Sequence, residues 1–168
     1  MNIEEIMQQR DEVGANFYCK DNDQFNTFLQ VCNFKNEFSF LNLNVASIAN
    51  LNKFQDLTDY VGLLEIEPDL IVFTETWITR GTSGIYSMEG YNSYHCCRDV
   101  ASAGVALYVR EGYNMEVIDE SSGNFSFIQL KISVPDRPHD FIIVTACYHP
   151  DVRDYSTSEE VLTNLLRK

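Results

Sequence analysis

The chain has 168 residues, 45% of them hydrophobic, and a formal net charge of −13 at pH 7. This length and composition are enough for one domain with its own core, and no apolar run is long enough to span a bilayer. The polar, acidic start is unlike a signal peptide. Proteins that bind nucleic acid usually carry a basic patch, and here the basic residues are isolated among acids. We therefore expect weak unaided binding to DNA and no membrane association.

Cysteine usage predicts the redox compartment. The five cysteines are odd in number and contain no CxxC pair: Cys19, Cys32, Cys96, Cys97 and Cys147. This pattern favours reduced thiols. We expect an intracellular protein, nuclear or cytoplasmic, that is not secreted.

The first half of the sequence predicts a strand–helix–strand unit. Residues 1–37 are polar and form a preamble that we expect to be partly helical or disordered, before a domain that spans 38–168. Residues 38–45 alternate as in a strand, and 51–66 place apolar side chains at three- and four-residue spacing, as in an amphipathic helix. Residues 69–74, "DLIVFT", are apolar without alternation, which indicates a strand covered on both faces.

The second half predicts antiparallel strands and a final helix. The strands are expected at 91–97, 104–110, 113–118, 126–133 and 141–148. A hairpin turn with two prolines is expected at 134–140, and a helix begins at Ser156 or Ser158. The fold class is α+β and layered. Two predicted helices are too few to bury the apolar faces of so many strands. We therefore expect an exposed apolar sheet face or a partner that covers it.

Three polar side chains, Asn44, Glu75 and Tyr148, stand where predicted strands end. Ligands of layered α/β proteins gather at strand ends, and a single carboxylate with a neutral amide suits Mg²⁺, which keeps several waters. The alternative is structural. A glutamate after a strand is commonly a solvated loop residue, and an asparagine in a turn commonly bonds its own backbone.

Four segments carry a resemblance to a known superfamily. In order they are "FSFLNLNVASIANLNKFQDL", "PDLIVFTETWI", "GYNSYHCCRDVASAGVALYVR" and "FIIVTACYHP". Together they resemble the amino-terminal half of the endonuclease/exonuclease/phosphatase superfamily, above all the apurinic-type endonuclease domain of non-LTR (LINE-like) retrotransposon polyproteins. The resemblance covers about residues 17–160. It implies a layered α/β sandwich of the deoxyribonuclease-I-like type, truncated to roughly its first half.

The resemblance also implies roles for the three polar residues. Asn44 and Glu75 match the positions that bind the family's metal, which is Mg²⁺, and Tyr148 matches the tyrosine beside the scissile phosphate. The implied ancestral activity is Mg²⁺-dependent cleavage of a DNA phosphodiester, with DNA as the partner. In that chemistry the ion neutralises charge on the phosphate, and the tyrosine donates a hydrogen bond to a phosphoryl oxygen.

The sequence departs from the family in its later motifs. The general-base aspartate and the aspartate–histidine pair do not occur before Lys168, and His95, His139 and His149 match neither place. Without these groups we expect the chain to be inactive by itself. The alternative hypothesis is a domesticated, non-enzymatic module that binds a protein partner or itself through the uncovered sheet face.

Two further candidate functional sites also have a simpler structural explanation. His95, Cys96 and Cys97 could ligate a soft metal, but adjacent strand residues point to opposite faces, which favours a structural role. Trp77 could stack on a base, although a lone tryptophan after a strand is more commonly a packing anchor.

Overall fold

The computed structural model describes residues 38–64, 66–97, 103–122, 126–134 and 137–148, without the side chains of 137–140, and the helical Thr163. The predicted preamble and, apart from Thr163, the predicted final helix lie outside these ranges. In the described part, the helical elements are α1 (Leu51–Gly62) and a 3₁₀ helix (Arg80–Ile85). The strands are β1 (Phe40–Asn44), β2 (Leu70–Thr74), β3 (Tyr91–Cys96), β4 (Val105–Arg110), β5 (Asn114–Ser122), β6 (Ser126–Val134) and β7 (Arg137–Tyr148).

Strands β1 to β4 form one mixed sheet in the order β1-β2-β4-β3. Strands β1 and β2 are parallel and joined by α1, as the sequence predicts, while β4 runs antiparallel to both of its neighbours. Asn50 caps the start of helix α1, and its side chain accepts a hydrogen bond from the Asn52 backbone N–H. This N-cap satisfies one of the free donors of the first turn.

Strands β5, β6 and β7 form a second, antiparallel sheet that packs against the first. Alternate residues of β2 and β4 point to opposite sides of the first sheet, so two apolar layers result. One layer lies under α1 and contains Phe54, Phe73 and Tyr108. The other lies between the sheets, where Leu107 packs with Leu130 and its neighbours. Strand β2 is therefore covered on both faces, which confirms the reading of "DLIVFT".

Helix α1 ends four residues earlier than predicted, at Gly62 rather than 66. The Leu63 N–H bonds back to the carbonyls of Asp59 and Tyr60, which closes the last turn. Glycine has low helix propensity, so the helix does not continue to Leu64 although the apolar spacing does.

The β5–β7 sheet also differs from prediction at its strand ends. Strand β5 runs to Ser122 instead of 118, because β6 offers a partner along its whole length. Strand β7 begins at Arg137, inside the stretch predicted as a turn. The register jumps from Ser133↔Phe141 to Val134↔Arg137, so 138–140 have no partner in the ladder. That irregularity accommodates Pro138, which cannot donate to a ladder.

The outer face of the second sheet exposes large apolar side chains. Phe141 and Ile143 on β7 are 48% and 51% exposed. The expectation of an exposed apolar sheet face is met at these positions. No helix within the described ranges has the length and apolarity needed to cross a membrane.

Candidate functional site

The candidate site lies at the carboxyl ends of β1 and β2. Asn44, the last residue of β1, pairs in register with Thr74, the last residue of β2, and Glu75 follows at once. Because the two strands are parallel, both polar side chains reach the same edge of the sheet. The βαβ pattern in the sequence was sufficient to predict this neighbourhood.

The Asn44 amide holds the Glu75 carboxylate. Asn44 Nδ2 donates to Glu75 Oε1 over 2.8 Å, and Asn44 Oδ1 accepts from the Ala46 N–H over 3.1 Å. A carboxylate needs a donor and a backbone N–H needs an acceptor, so the two partners fix which amide atom is nitrogen and which is oxygen. Asn44 therefore orients Glu75, and its own oxygen keeps one lone pair for a further ligand.

The backbone at this edge is strained. Five non-glycine residues in the described ranges have positive φ: Ala46 (42°), Ser47 (80°), Glu75 (57°), Trp77 (57°) and Ala103 (66°). They lie in three segments, after β1, after β2 and before β4. Such conformations cost about 1–3 kcal/mol each and tend to cluster at functional sites. The sequence carries no signal for this strain, since none of the five is glycine or asparagine.

Hydrogen bonds between the three segments hold the strained backbone. The Ser47 N–H donates to the Glu75 carbonyl over 2.7 Å, and the Trp77 N–H donates to the Ala103 carbonyl over 2.8 Å. Each bond ties residues of positive φ in two different segments. The Glu75 backbone is thus fixed by neighbours on both sides, which limits where its carboxylate can point.

Gly104 allows the segment before β4 to approach the site. Its φ is +98°, and a Cβ atom built there would lie 2.7 Å from Thr76 Oγ1. Thr76 is itself buried, with 1% exposure. Only glycine fits this close approach without displacing the residue between Glu75 and Trp77.

Lys53 is a residue of the site that sequence reasoning missed. Its Nζ donates to the carbonyls of Val45 over 2.7 Å and Ala46 over 3.0 Å, so it closes the loop that follows Asn44. A cation in the first turn of a helix is unfavourable with the helix dipole. The position of Lys53 in the first turn of α1 was therefore a sequence feature that could have indicated that its side chain has partners outside the helix.

Tyr148 reaches the same carboxylate from the second sheet. It ends β7, packs against the layer between the sheets, and its hydroxyl lies near enough to Glu75 to interact with the carboxylate. Burial, the negative charge of Glu75 and hydrogen bonding to this carboxylate all raise the pKa of Tyr148. The phenol is a neutral donor at pH 7. The structure therefore brings together Asn44, Glu75 and Tyr148 from two different sheets.

Glu75 is chemically available for a hard cation. It is half-buried, and within the described residues no salt bridge neutralises it. No group of three or more His, Cys, Asp or Glu side chains in those residues could enclose a metal. An ion at this edge would have one carboxylate and would complete its shell with waters and substrate phosphate. Magnesium tolerates that arrangement, so the donor set fits it.

His95, Cys96 and Cys97 do not converge. Cys96 faces the layer between the sheets, whereas Cys97 faces the layer under α1. The His95 ring packs edge-on against Tyr108, with centroids 5.7 Å apart. Burial lowers the pKa of His95 to about 4, so the ring is neutral at pH 7. Cys96 and Cys97 are part of the core, His95 is half-buried beside it, and the three side chains do not form a soft-metal site.

Comparison with solved structures assigns the fold. A humanized TDP2 from D. rerio superimposes with a TM-score of 0.51 at 13% sequence identity, and the match covers 77% of this chain. The AP endonuclease LMAP from Leishmania major gives a TM-score of 0.53 at 14% identity over 80% of this chain. The chain has the endonuclease/exonuclease/phosphatase fold. At these identities the likeness establishes the architecture alone.

The chain matches only part of each neighbour. It spans 57% of the TDP2 chain and 45% of the LMAP chain. No protein-family model matches the sequence, and no curated protein sequence matches it significantly. The partial coverage agrees with the expectation of a domain truncated to roughly its first half.

Proposed function

We propose that this chain is an endonuclease-like domain of retrotransposon origin, whose ancestral activity is Mg²⁺-dependent cleavage of a DNA phosphodiester. The observation that carries the proposal is the convergence of Asn44 and Tyr148 on the Glu75 carboxylate. The neighbours support the fold in which such a site would act, and LMAP is an AP endonuclease.

Each of the three residues has a distinct role in this proposal. Glu75 would hold Mg²⁺ together with waters, and Asn44 keeps the carboxylate in place. When bound, the ion would neutralise charge on the phosphate. The Tyr148 phenol, which is neutral at pH 7, would turn its single O–H from Glu75 to a phosphoryl oxygen of the substrate.

We propose further that the chain by itself does not cleave DNA. Hydrolysis needs a general base that activates water, and histidine is the usual one. His95, the histidine whose side chain the structure describes, packs against Tyr108 with both ring nitrogens shielded from solvent, so it cannot reach a water at the site. The net charge of −13 also opposes tight binding to DNA.

Mg²⁺ titration and plasmid nicking together test the proposal. The wild type should bind Mg²⁺ at millimolar concentration by isothermal titration calorimetry, and Glu75→Gln should not. Glu111→Gln is the matched control, because Glu111 is exposed in the turn after β4, at the other end of the sheet. No variant should nick supercoiled plasmid. Absence of Mg²⁺ binding in the wild type contradicts the site, whereas nicking that is lost in Glu75→Gln contradicts inactivity alone.

One observation favours the second candidate function, a non-enzymatic interaction module. The outer face of the second sheet exposes Phe141 and Ile143, and the Lys131 Nζ lies 4.5 Å from the centroid of the Phe141 ring. Exposed apolar faces of this kind are typical of interaction sites. Self-association that rises with concentration in size-exclusion chromatography and disappears in Ile143→Lys supports this function. A monomer at all concentrations is evidence against self-association.

A further inference from the structure

Trp77 stands out as an exposed aromatic residue beside the candidate site. It is the single tryptophan of the chain, lies two residues after Glu75, and is 39% exposed. Tryptophan has the largest apolar surface of any side chain, and here more than a third of the residue surface stays in contact with solvent. Its neighbours Thr76 and Ile78 are each only 1% exposed. The indole is therefore the exposed side chain between two fully buried neighbours, and its exposed face is available to a ligand.

The backbone holds Trp77 in an unfavourable conformation. Its φ of 57° is uncommon for a bulky residue and costs about 1–3 kcal/mol. The Trp77 N–H donates to the Ala103 carbonyl over 2.8 Å, and the buried residues on either side fix the chain further. An aromatic side chain on a fixed backbone loses little entropy when a ligand binds. The indole is thus presented to solvent from a rigid edge.

The chemistry of nucleic acid places a base near this indole. Every phosphate of a DNA strand has a nucleobase within one nucleotide, and an indole face stacks on any base. The chain is strongly acidic, so electrostatic attraction to the phosphate backbone contributes little here. Stacking does not require a basic patch, which makes it the contact best suited to this surface. A base already stacked in a duplex has no free face for the indole, so the matching ligand has unpaired bases.

We propose that Trp77 stacks on an unpaired nucleobase adjacent to the phosphate bound at Glu75, so that the site selects single-stranded or locally opened DNA. The position of the phosphate rests on the proposed function, whereas the stacking itself rests on the exposure and fixed backbone of Trp77. This residue would contribute specificity for unpaired bases, while Asn44, Glu75 and Tyr148 would contact the phosphate and its ion.

Intrinsic fluorescence tests the proposal directly, because the emission comes from Trp77 alone among tryptophans. A single-stranded oligothymidine, an abasic sugar–phosphate oligomer of equal length and a blunt duplex are titrated separately at low salt. Fluorescence anisotropy of end-labelled strands measures binding in parallel. We expect the oligothymidine to quench the indole emission and the other two ligands to leave it unchanged. Trp77→Ala should weaken binding of oligothymidine about tenfold, and Trp77→Phe should restore most of it.

Phe40→Ala is the matched control for loss of an exposed aromatic residue. Phe40 is 70% exposed at the first position of β1, at the opposite end of the sheet, so its removal should not change binding. The proposal is overturned if bound oligothymidine leaves the emission unchanged, if the abasic oligomer quenches equally, or if Trp77→Ala binds as the wild type does. It is overturned as well if no ligand binds.

Glu75→Gln separates this proposal from the proposed function. If the variant loses the Mg²⁺ dependence of DNA binding but keeps base-dependent quenching, both ideas stand. Quenching in a wild type whose DNA binding does not depend on Mg²⁺ or on Glu75 would contradict the phosphate site and leave stacking intact. Binding that depends on Mg²⁺ and Glu75 but not on Trp77 would contradict stacking alone.

Discussion

The two ends of β2 carry carboxylates in opposite situations. Asp69, just before the strand, is 4% exposed. It accepts hydrogen bonds from the Ser39 N–H over 2.7 Å and the Tyr113 hydroxyl over 2.8 Å, and pairs with Arg110. Glu75, just after the strand, is half-buried on a strained backbone and has an amide and a phenol as partners.

This contrast separates a carboxylate with a structural role from one that the proposed function assigns to a metal site. Asp69 has the cation and donors that a buried charge needs, so its interactions stabilise the fold. The partners of Glu75 orient the carboxylate but do not neutralise it, and the backbone conformation costs free energy. A carboxylate that has no cationic partner among the described residues and lies on a strained backbone is suited to a ligand that is absent during folding.

The largest expected effect is on stability, from removal of Asp69. Asp69→Ala should lower the free energy of unfolding by about 3 kcal/mol, because Arg110 and two hydroxyl donors lose their buried partner. Glu75→Ala should change it by no more than about 0.5 kcal/mol. Urea unfolding at pH 7, followed by circular dichroism, measures both. Equal losses in the two variants would remove the distinction between the two ends.

The stability of the fold should decrease at acid pH because of His95, which lies near the end of β2 that carries Glu75. His95 pairs with Ala106 of β4. Both ring nitrogens are shielded from solvent, and burial lowers the pKa of His95 from 6.5 to about 4, against a smaller opposing effect of the Tyr86 backbone. Below pH 6.5 the unfolded chain takes up the proton first, so this contribution to stability is complete above pH 6.5 and declines towards pH 4.

His95→Phe removes that titration and keeps a ring against Tyr108. Between pH 7 and pH 4 the wild type should lose up to about 3 kcal/mol more stability than the variant. Carboxylates titrate in the same window in both proteins, so only the difference between the two curves is informative. Parallel curves, or a His95 ring that NMR shows protonated at pH 5.5, would contradict the burial argument.

A smaller loss of stability is expected when the two glycines of positive φ that flank β4 are replaced by alanine. Gly104 beside Thr76 and Gly112 in the turn after β4 have φ of +98° and +96°. A Cβ at Gly112 meets nothing within 4 Å, whereas one at Gly104 lies 2.7 Å from Thr76 Oγ1. Gly112→Ala should cost about 1 kcal/mol from conformation alone, and Gly104→Ala about 2 kcal/mol.

Thr76→Ala provides the control for the close approach. Thermal unfolding of Gly104→Ala, Thr76→Ala and the double variant gives a coupling free energy, which should favour the double variant because the obstructing hydroxyl is gone. Additive effects would show that the contact between the segments is unimportant. Only Gly104→Ala, and not Gly112→Ala, should alter Mg²⁺ binding at Glu75.

Sequence patterns could predict the local elements and the position of the site, but not its construction. The apolar run of β2 and the apolar spacing in α1 both reflect burial, so the sequence predicts these two elements. The βαβ unit that they form also predicts that Asn44 lies near Glu75. The insertion of β4 between β2 and β3 depends on pairing between distant residues, which periodicity does not encode. The positive φ at Glu75 and Trp77 arises from tertiary hydrogen bonds. The partners of Asp69 are 30 to 44 residues away in the sequence.

The smallest expected effect is on the pKa of Tyr148, and it tests the link between the sheets. Burial raises this pKa first, and the charge and hydrogen bond of Glu75 raise it further. Glu75→Gln removes the charge, so the pKa should fall yet stay above its ordinary value of 10.0. Tyrosine ¹³Cζ shifts followed by NMR during alkaline titration measure it. Tyr91, whose pKa is raised to about 12 by burial and by Glu67 at the Asp69 end, should not change. If the pKa of Tyr148 is the same in Glu75→Gln as in the wild type, the second sheet does not reach the carboxylate. The candidate site would then consist of Asn44 and Glu75 alone.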